Sequence, residues 1–274
     1  MLLVVDIGNT HTVIGLYGPA SETASRASAD EISRKGDDLT DHWRIATNHE
    51  RTSDEHFTLI DDFLRHRDVS LLGDVSGVAV ASVVPRLTAA FREMTKRYLH
   101  FDAMVLEPGI KTGMPILYDN PKEVGADRIA NAVGAFDLFG GPAIVVDFGT
   151  ATTLDAITAG GEYAGGAIIP GVEISLEALF DRADRLTRVE LVEPRGVIGK
   201  STVESVQAGV IYGTVAQVDG LCRRFEEELG KSTAVATGGV GGLFARLSEV
   251  IEHYEPWLTL HGLRLIYAKN FERA

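Results

Sequence analysis

The residues best suited to chemistry are two aspartates, each closing a run of apolar residues just before a glycine turn. Residues 2–10 read LLVVDIGNT, with Asp6 followed by Gly8, and residues 143–150 read AIVVDFGT, with Asp147 followed by Gly149. Glycine lets a backbone approach an anion closely and take positive φ, and Asn9, Thr10, Thr150 and Thr152 add short hydrogen-bonding groups. An aspartate at the carboxyl end of a buried strand lies where α/β folds place their ligands. One such loop alone reads as a tight turn whose aspartate caps backbone groups. Two related loops, with a third glycine cluster at Gly238-Gly239-Val240-Gly241-Gly242, favour nucleotide phosphates as the ligand.

A second group of polar residues lies on the apolar stretch EVGADRIANAVGAFDLF (123–139), which reads as a helix carrying Asp127, Arg128 and Asn131. Asp127 and Asn131 are four apart and share a face. Charges on so apolar a helix need partners or a ligand site. Anchoring the helix to neighbouring loops is one reading; the other makes Asp127 a general base and Arg128 an anion-holding group. Three aspartates (6, 127 and 147) around a polyphosphate, with no lysine in either loop, form a repulsive site unless cations supply positive charge. Metal-ion dependence is therefore expected, and phosphoryl transfer is the reaction that gains most from it.

Two other motifs carry less. GKST (199–202) resembles the end of a phosphate-binding P-loop, but the first glycine of that pattern is replaced by Pro194, so a helix start using Ser201 or Thr202 is the better reading. GGVGGLF ends in Phe244 where a dinucleotide-binding fingerprint needs glycine, which speaks against an oxidoreductase.

The elements that must position these residues follow from the pattern. A chain of 274 residues suggests about two domains. The repeated strand–Asp–x–Gly motif suggests duplication, with boundaries expected at 1–122 and 123–274. Thr52 and Glu55 form a capping box before EHFTLIDDFLRH, and GVAVASVV (77–84) is a buried strand stopped by Pro85. Asn120-Pro121-Lys122-Glu123 places an N-cap, proline and glutamate at the start of the 123–139 helix, which should lie inside, between the halves. GGAIIPG (165–171) reads as a short apolar stretch ending in a Pro-Gly turn. Residues 202–229 form a long helix, with Val203, Val206, Val210, Val218, Leu221 and Phe225 on one side and Gly230 at its end, and AVAT (234–237) is a strand. Residues 19–42 are polar, with only Ile32 and Leu39 as large aliphatics, and read as a mobile loop. Alternating strands and helices give an α/β fold whose halves face a cleft.

Composition excludes several classes. Lys and Arg total 26 against 39 Asp and Glu, a net charge of −13 that argues against nucleic acid or an anionic membrane surface as partner. No apolar run reaches the ~18 residues of a membrane span. The start MLLVVDIGNT lacks the basic segment of a signal peptide. The lone Cys222 cannot form an internal disulfide and suits a reducing cytoplasm.

The ordered set DIGNT (6–10), YDNPKEVGADR (118–128), DFGTATT (147–153), GGAIIPG (165–171), GKSTVESVQAG (199–209) and ATGG (236–239) closely resembles type III pantothenate kinase, with similarity running to LTLHGLRLIY near the C-terminus. The resemblance implies two duplicated ribonuclease-H-like domains of the acetate-and-sugar-kinase, heat-shock-chaperone and actin superfamily. It implies ATP-dependent phosphorylation of pantothenate on the way to coenzyme A. By that similarity Asp6, Ile7, Gly8, Asn9, Thr10, His11, Thr12, Val13 and Thr150 bind ATP. Asp127 is the proton acceptor, and Tyr118, Gly125, Ala126, Asp127, Arg128 and Thr202 contact pantothenate. Asp147 would hold potassium or ammonium, magnesium would accompany ATP with Asp6 as its candidate ligand, and a homodimer is implied in which Thr202 serves the partner's site. Two alternatives differ in kind: another sugar or acetate kinase or an exopolyphosphatase on the same scaffold, which the Tyr118–Arg128 segment disfavours, and a non-enzymatic accessory role in gene expression, which fits poorly with the absence of a basic patch.

Overall fold

The computed structural model describes residues 1–18, 39–183, 186 and 188–271. In chain order these form β1 (Leu2–Ile7), β2 (His11–Tyr17), β3 (Leu39–Ala46), α1 (Ser53–Arg65), β4 (Gly77–Ser82), α2 (Pro85–Met94), β5 (Met104–Val105), α3 (Ala126–Phe139), β6 (Ala143–Phe148) and β7 (Ala151–Ile157). Then follow β8 (Tyr163–Pro170), α4 (Val172–Arg182), α5 (Thr202–Leu229), β9 (Thr233–Thr237), α6 (Gly241–Leu247), β10 (Ile251–Tyr254) and α7 (Leu258–Phe271).

The ten strands make two sheets of identical design, ordered β3-β2-β1-β4-β5 and β8-β7-β6-β9-β10. In each, the Asp-bearing strand pairs antiparallel with the next strand and parallel with a later one. Asp6 lies opposite Val13 and Ala81, and Asp147 opposite Thr153 and Thr237. The repeated sequence motif is thus the visible part of a duplicated α/β unit.

The compact units do not follow a single cut at 122/123. One comprises residues 1–114, 119–138 and 258–274, the other 115–118 and 139–257. In the first, the sheet packs through Leu3, Val5, Ile7, Ile14 and Leu16 against Ile60 and Leu64 of α1 and Leu87 and Phe91 of α2. Helix α1 opens on the expected capping box, with the Thr52 side chain taking the backbone N–H of Glu55 while Glu55 takes that of Thr52. Helix α3 belongs to this unit, where α7 is its neighbour. Gly134 and Gly262 let the two backbones meet, since a side-chain carbon on Gly262 would collide with the Ala130 carbonyl. Thr259 donates to Asn131 at 2.7 Å, and the buried His261 ring meets Asp137 at 2.9 Å. In the second unit Ile144, Val146, Phe148 and Leu154 pack against Leu176 of α4, Val218 and Cys222 of α5 and Phe244 of α6.

Some sequence expectations shift. Residues 39–42 belong to strand β3, because β2 offers them a hydrogen-bonding partner; residues 19–38 lie outside the described set. Asn120-Pro121-Lys122-Glu123 forms a separate single turn of 3-10 helix that ends at Val124, and α3 begins only at Ala126. GGAIIPG is the second half of strand β8, and Gly171 leads straight into α4. Along α5, Val218 is buried and Val206, Val210, Leu221 and Phe225 are partly buried against the core, but Val203 is exposed.

Candidate active site

The first Asp turn is built by three residues, Gly8-Asn9-Thr10, between β1 and β2, and closes when the Gly8 N–H donates to the His11 carbonyl at 3.0 Å. Asn9, Thr10 and His11 are exposed, Asp6, Gly8 and Val13 partly so. Ile7 and Thr12 are buried beneath the turn. The Thr12 hydroxyl is engaged at 2.9 Å with that of Thr47, which also donates to the Gly8 carbonyl at 2.8 Å. The Thr47 backbone N–H meets the Thr10 carbonyl at 2.9 Å, and the His49 ring lies 3.3 Å from the Asn9 carbonyl. Thr47, just past the end of β3, therefore braces the turn at three points. Sequence reading missed it because only the pairing of β2 with β3 carries it there.

The second turn is shorter. Gly149 and Thr150 join β6 to β7, with the Gly149 N–H donating to the Ala151 carbonyl at 3.1 Å. Thr150 is exposed and Asp147 partly exposed. Two glycines of later elements press against this turn. Gly171, at the start of α4, has no room for a side-chain carbon, which would strike the Thr150 carbonyl. Gly238, at φ +91, faces Asp147, and a side-chain carbon there would come within 2.6 Å of its Oδ1 and 2.5 Å of the Phe148 carbonyl. The glycine clusters around 171 and 238 thus pack the second turn, a role their composition alone did not specify.

Asp127 stands in the first turn of α3. Its Oδ1 accepts the Arg128 backbone N–H at 2.9 Å, and it occupies the space that a side chain at residue 125 would need, which accounts for Gly125. Burial pushes its carboxyl above the usual aspartate range, against the opposing pull of the Arg128 N–H and guanidinium. The result is a stronger base than an ordinary aspartate, fixed on a helix that α7 holds in place. Arg128 is buried, Ala126 and Gly125 are partly exposed, and Asn131 is spent on Thr259, so it leaves the candidate set.

In the second unit, Tyr118 packs against the start of β8. Its ring sits 6.3 Å from that of Tyr163 and lies beside Gly165, which has φ +124. Thr202 is exposed at the first position of α5, whose N-cap is Ser201, with its side chain accepting from the Glu204 N–H at 3.2 Å. GKST is a helix start. Among the described residues, no three His, Cys, Asp or Glu side chains gather as a metal cage. The donors near each turn are instead a single carboxylate with backbone carbonyls, a set that suits an oxygen-seeking cation also held by phosphate and water.

The chain matches the model of the family described as type III pantothenate kinase over residues 2–224. It is 50% identical to the type III pantothenate kinase of Streptomyces avermitilis, with all of both chains covered. Among solved structures it resembles a Campylobacter jejuni protein assigned to the Baf family of transcriptional activators, with a TM-score of 0.59, 20% identity and 98% of each chain covered. A Sinorhizobium meliloti protein assigned as a 2-dehydro-3-deoxygalactonokinase gives a TM-score of 0.55 at 13% identity, covering 100% of this chain and 98% of the other. These two likenesses speak for the fold alone, an α/β architecture of two like units.

Proposed function

The chain belongs to the type III pantothenate kinase family, and we infer that it transfers the γ-phosphoryl group of ATP to the primary alcohol of pantothenate, the first step towards coenzyme A. It is a phosphotransferase with an alcohol acceptor. The observation that carries this is identity of 50% along the entire chain with a relative of that name.

The residues fit the reaction. The first-turn segment Asp6, Ile7, Gly8, Asn9, Thr10, His11, Thr12 and Val13, together with Thr150, is assigned to ATP. Asp127 accepts the proton of the pantothenate alcohol as that oxygen bonds to the γ-phosphorus and the bond to the ADP oxygen breaks. Burial raises its carboxyl above the ordinary aspartate range, which makes it the better proton acceptor and supports this role. Tyr118, Gly125, Ala126, Arg128 and Thr202 are assigned to pantothenate, Arg128 supplying positive charge and Tyr118 a wall. Asp6 would meet magnesium carried by ATP, and Asp147, with the Phe148 carbonyl nearby, potassium or ammonium. These ions would supply the positive charge that both loops lack.

A homodimer is part of the same reading. Val197 and Ile198 are 68% and 78% exposed and flank the segment that leads to Thr202, and Val203, Ile168 and Ile174 of the same unit are also exposed. Apolar surface of this kind is covered by association, and a symmetric pair is the commonest form. Thr202 would then serve the partner's site. No helix among the described residues is long and apolar enough to cross a membrane, and a cytoplasmic place fits the substrates. The test is transfer of label from γ-labelled ATP to pantothenate, with and without potassium. Labelled phosphopantothenate formed only when both pantothenate and the monovalent cation are present bears the reading out; release of phosphate without an acceptor contradicts it.

A further inference from the structure

The second sheet contains a buried acid that the reaction does not use. Asp155, on β7, is fully buried; its Oδ1 accepts the Tyr163 hydroxyl at 2.7 Å and its Oδ2 the Thr153 hydroxyl at 3.1 Å. A buried carboxylate is costly and is retained where its hydrogen bonds fix something. The duplication sharpens the point. Asp155 pairs with Val145, two residues before Asp147, and the matching place in the first sheet, opposite Val4 and two residues before Asp6, is Gly15. Gly15 is packed over by Leu260 of α7 and Leu39, whose atoms lie 2.8 and 3.0 Å from where a side-chain carbon would be. One half fills this position with apolar side chains; the other installs an acid and a tyrosine.

Tyr163 holds the Tyr118 segment through both its backbone and its ring. Its N–H donates to the Pro115 carbonyl at 2.9 Å and its carbonyl accepts the Leu117 N–H at 2.8 Å. Ile116 bridges to it in parallel, adding a short sixth strand element beside β8. Its fully buried ring meets that of Tyr118 at 6.3 Å and 53°, a tilted aromatic pair. The backbone before Tyr118 thus rests on the Tyr163 main chain and the Tyr118 ring on the Tyr163 side chain, whose far end is tied to Asp155.

We propose that Asp155 and Tyr163 are positioning residues that hold Tyr118 for recognition of the acceptor substrate, a small hydroxylated carboxylate. This rests on the assignment of Tyr118 to pantothenate. Loss of the Tyr163 hydroxyl leaves the ring but frees its tip, so the Tyr118 wall shifts by fractions of an ångström and acceptor binding weakens while nucleotide binding does not.

The experiment is steady-state kinetics of Tyr118→Ala, Tyr163→Phe, Asp155→Asn and the double variant Tyr118→Ala/Tyr163→Phe, each checked for native thermal unfolding. Tyr163→Phe is expected to raise KM for pantothenate about 3- to 10-fold with KM for ATP within about twofold of wild type. Asp155→Asn keeps an oxygen to accept the Tyr163 hydroxyl and should fall nearer the wild type. In the double variant, Tyr163→Phe should add nothing to Tyr118→Ala. A Tyr118→Ala enzyme with unaltered KM for pantothenate refutes the Tyr118 assignment, and the proposal with it. A sensitive Tyr118→Ala beside a silent Tyr163→Phe, or equal losses for both substrates, overturns the proposal alone. If Tyr163→Phe does not fold, Thr153→Val, which removes the weaker donor to Asp155, is read by the same KM split: a rise confined to pantothenate supports the proposal, and no rise overturns it.

Discussion

Thr47 shows how much one hydroxyl can decide. It donates to the Gly8 carbonyl, shares a hydrogen bond with the Thr12 hydroxyl, and its N–H holds the Thr10 carbonyl. Thr47→Val keeps the shape and the N–H bond but leaves the Gly8 carbonyl and Thr12 hydroxyl unsatisfied, at a cost of about 1–3 kcal/mol. A looser turn should raise KM for ATP by about 10-fold and leave KM for pantothenate near wild type, as steady-state kinetics will show. A second residue acts on stability alone. His56 of α1 is buried against Phe91, neither ring nitrogen has a partner among the described residues, and burial, helped by the nearby Arg51 charge, lowers its pKa to about 4. A folded pKa below the unfolded value means that stability is present above about pH 6.5 and lost as pH falls towards about 4. His56→Leu should flatten the acid side of a plot of unfolding midpoint against pH; an unchanged slope would deny His56 that role. Asp127 was legible as a charged group on an apolar helix, whereas Thr47 and Tyr163 were not, because the segments they brace, the first turn and residues 115–118, lie at least 35 residues away and are brought near only by strand pairing.

At the scale of elements, turns and helix starts do most of the positioning. The capping box at Thr52 and Glu55 and the N-cap at Ser201 were readable, since each is written within four residues. Helix α3 was harder: its apparent N-cap at Asn120 belongs to a separate turn, and the helix starts beyond Gly125, where Asp127 itself covers exposed backbone N–H groups. The glycines after β8 and β9 were visible as composition, but their purpose depends on the neighbouring turn. Gly171→Ala tests that purpose, since its new carbon would strike the Thr150 carbonyl. The expected outcome is displacement of the second turn, with KM for ATP raised by at least about 10-fold and little change in the unfolding of the first unit. Unaltered ATP kinetics would remove Gly171 from the site.

For the whole molecule, duplication is the organising fact, and the paired Asp-x-Gly motifs revealed it because both lie at the same register of like sheets. The path of the chain was less open to reading: LTLHGLRLIY is apolar along its length, and nothing local says that it returns to the first unit as α7. The net charge of −13 gives the entire protein a general attraction for cations, beside the cation sites proposed at the two turns. Association is tested at this scale by Ile198→Asp. Placing a charge on a side chain that is 78% exposed leaves folding intact but should shift sedimentation from dimer to monomer and lower turnover, if Thr202 serves the partner's site. A variant that remains dimeric places the interface elsewhere.

The proposed proton acceptor is the center of the account, and Asp127→Asn isolates it. The amide keeps an oxygen for the Arg128 N–H, so the start of α3 is preserved. It also removes a carboxyl whose folded pKa is raised, a feature that favours the folded state below the usual aspartate pKa and disfavours it once pH rises through the shifted value. The unfolding midpoint at neutral pH should therefore hold or rise. The decisive measurement is turnover of labelled ATP and pantothenate by this variant, alongside direct nucleotide binding. Turnover lowered by about 10²- to 10⁴-fold with ATP affinity retained is the predicted result; phosphopantothenate formed at the wild-type rate would contradict it.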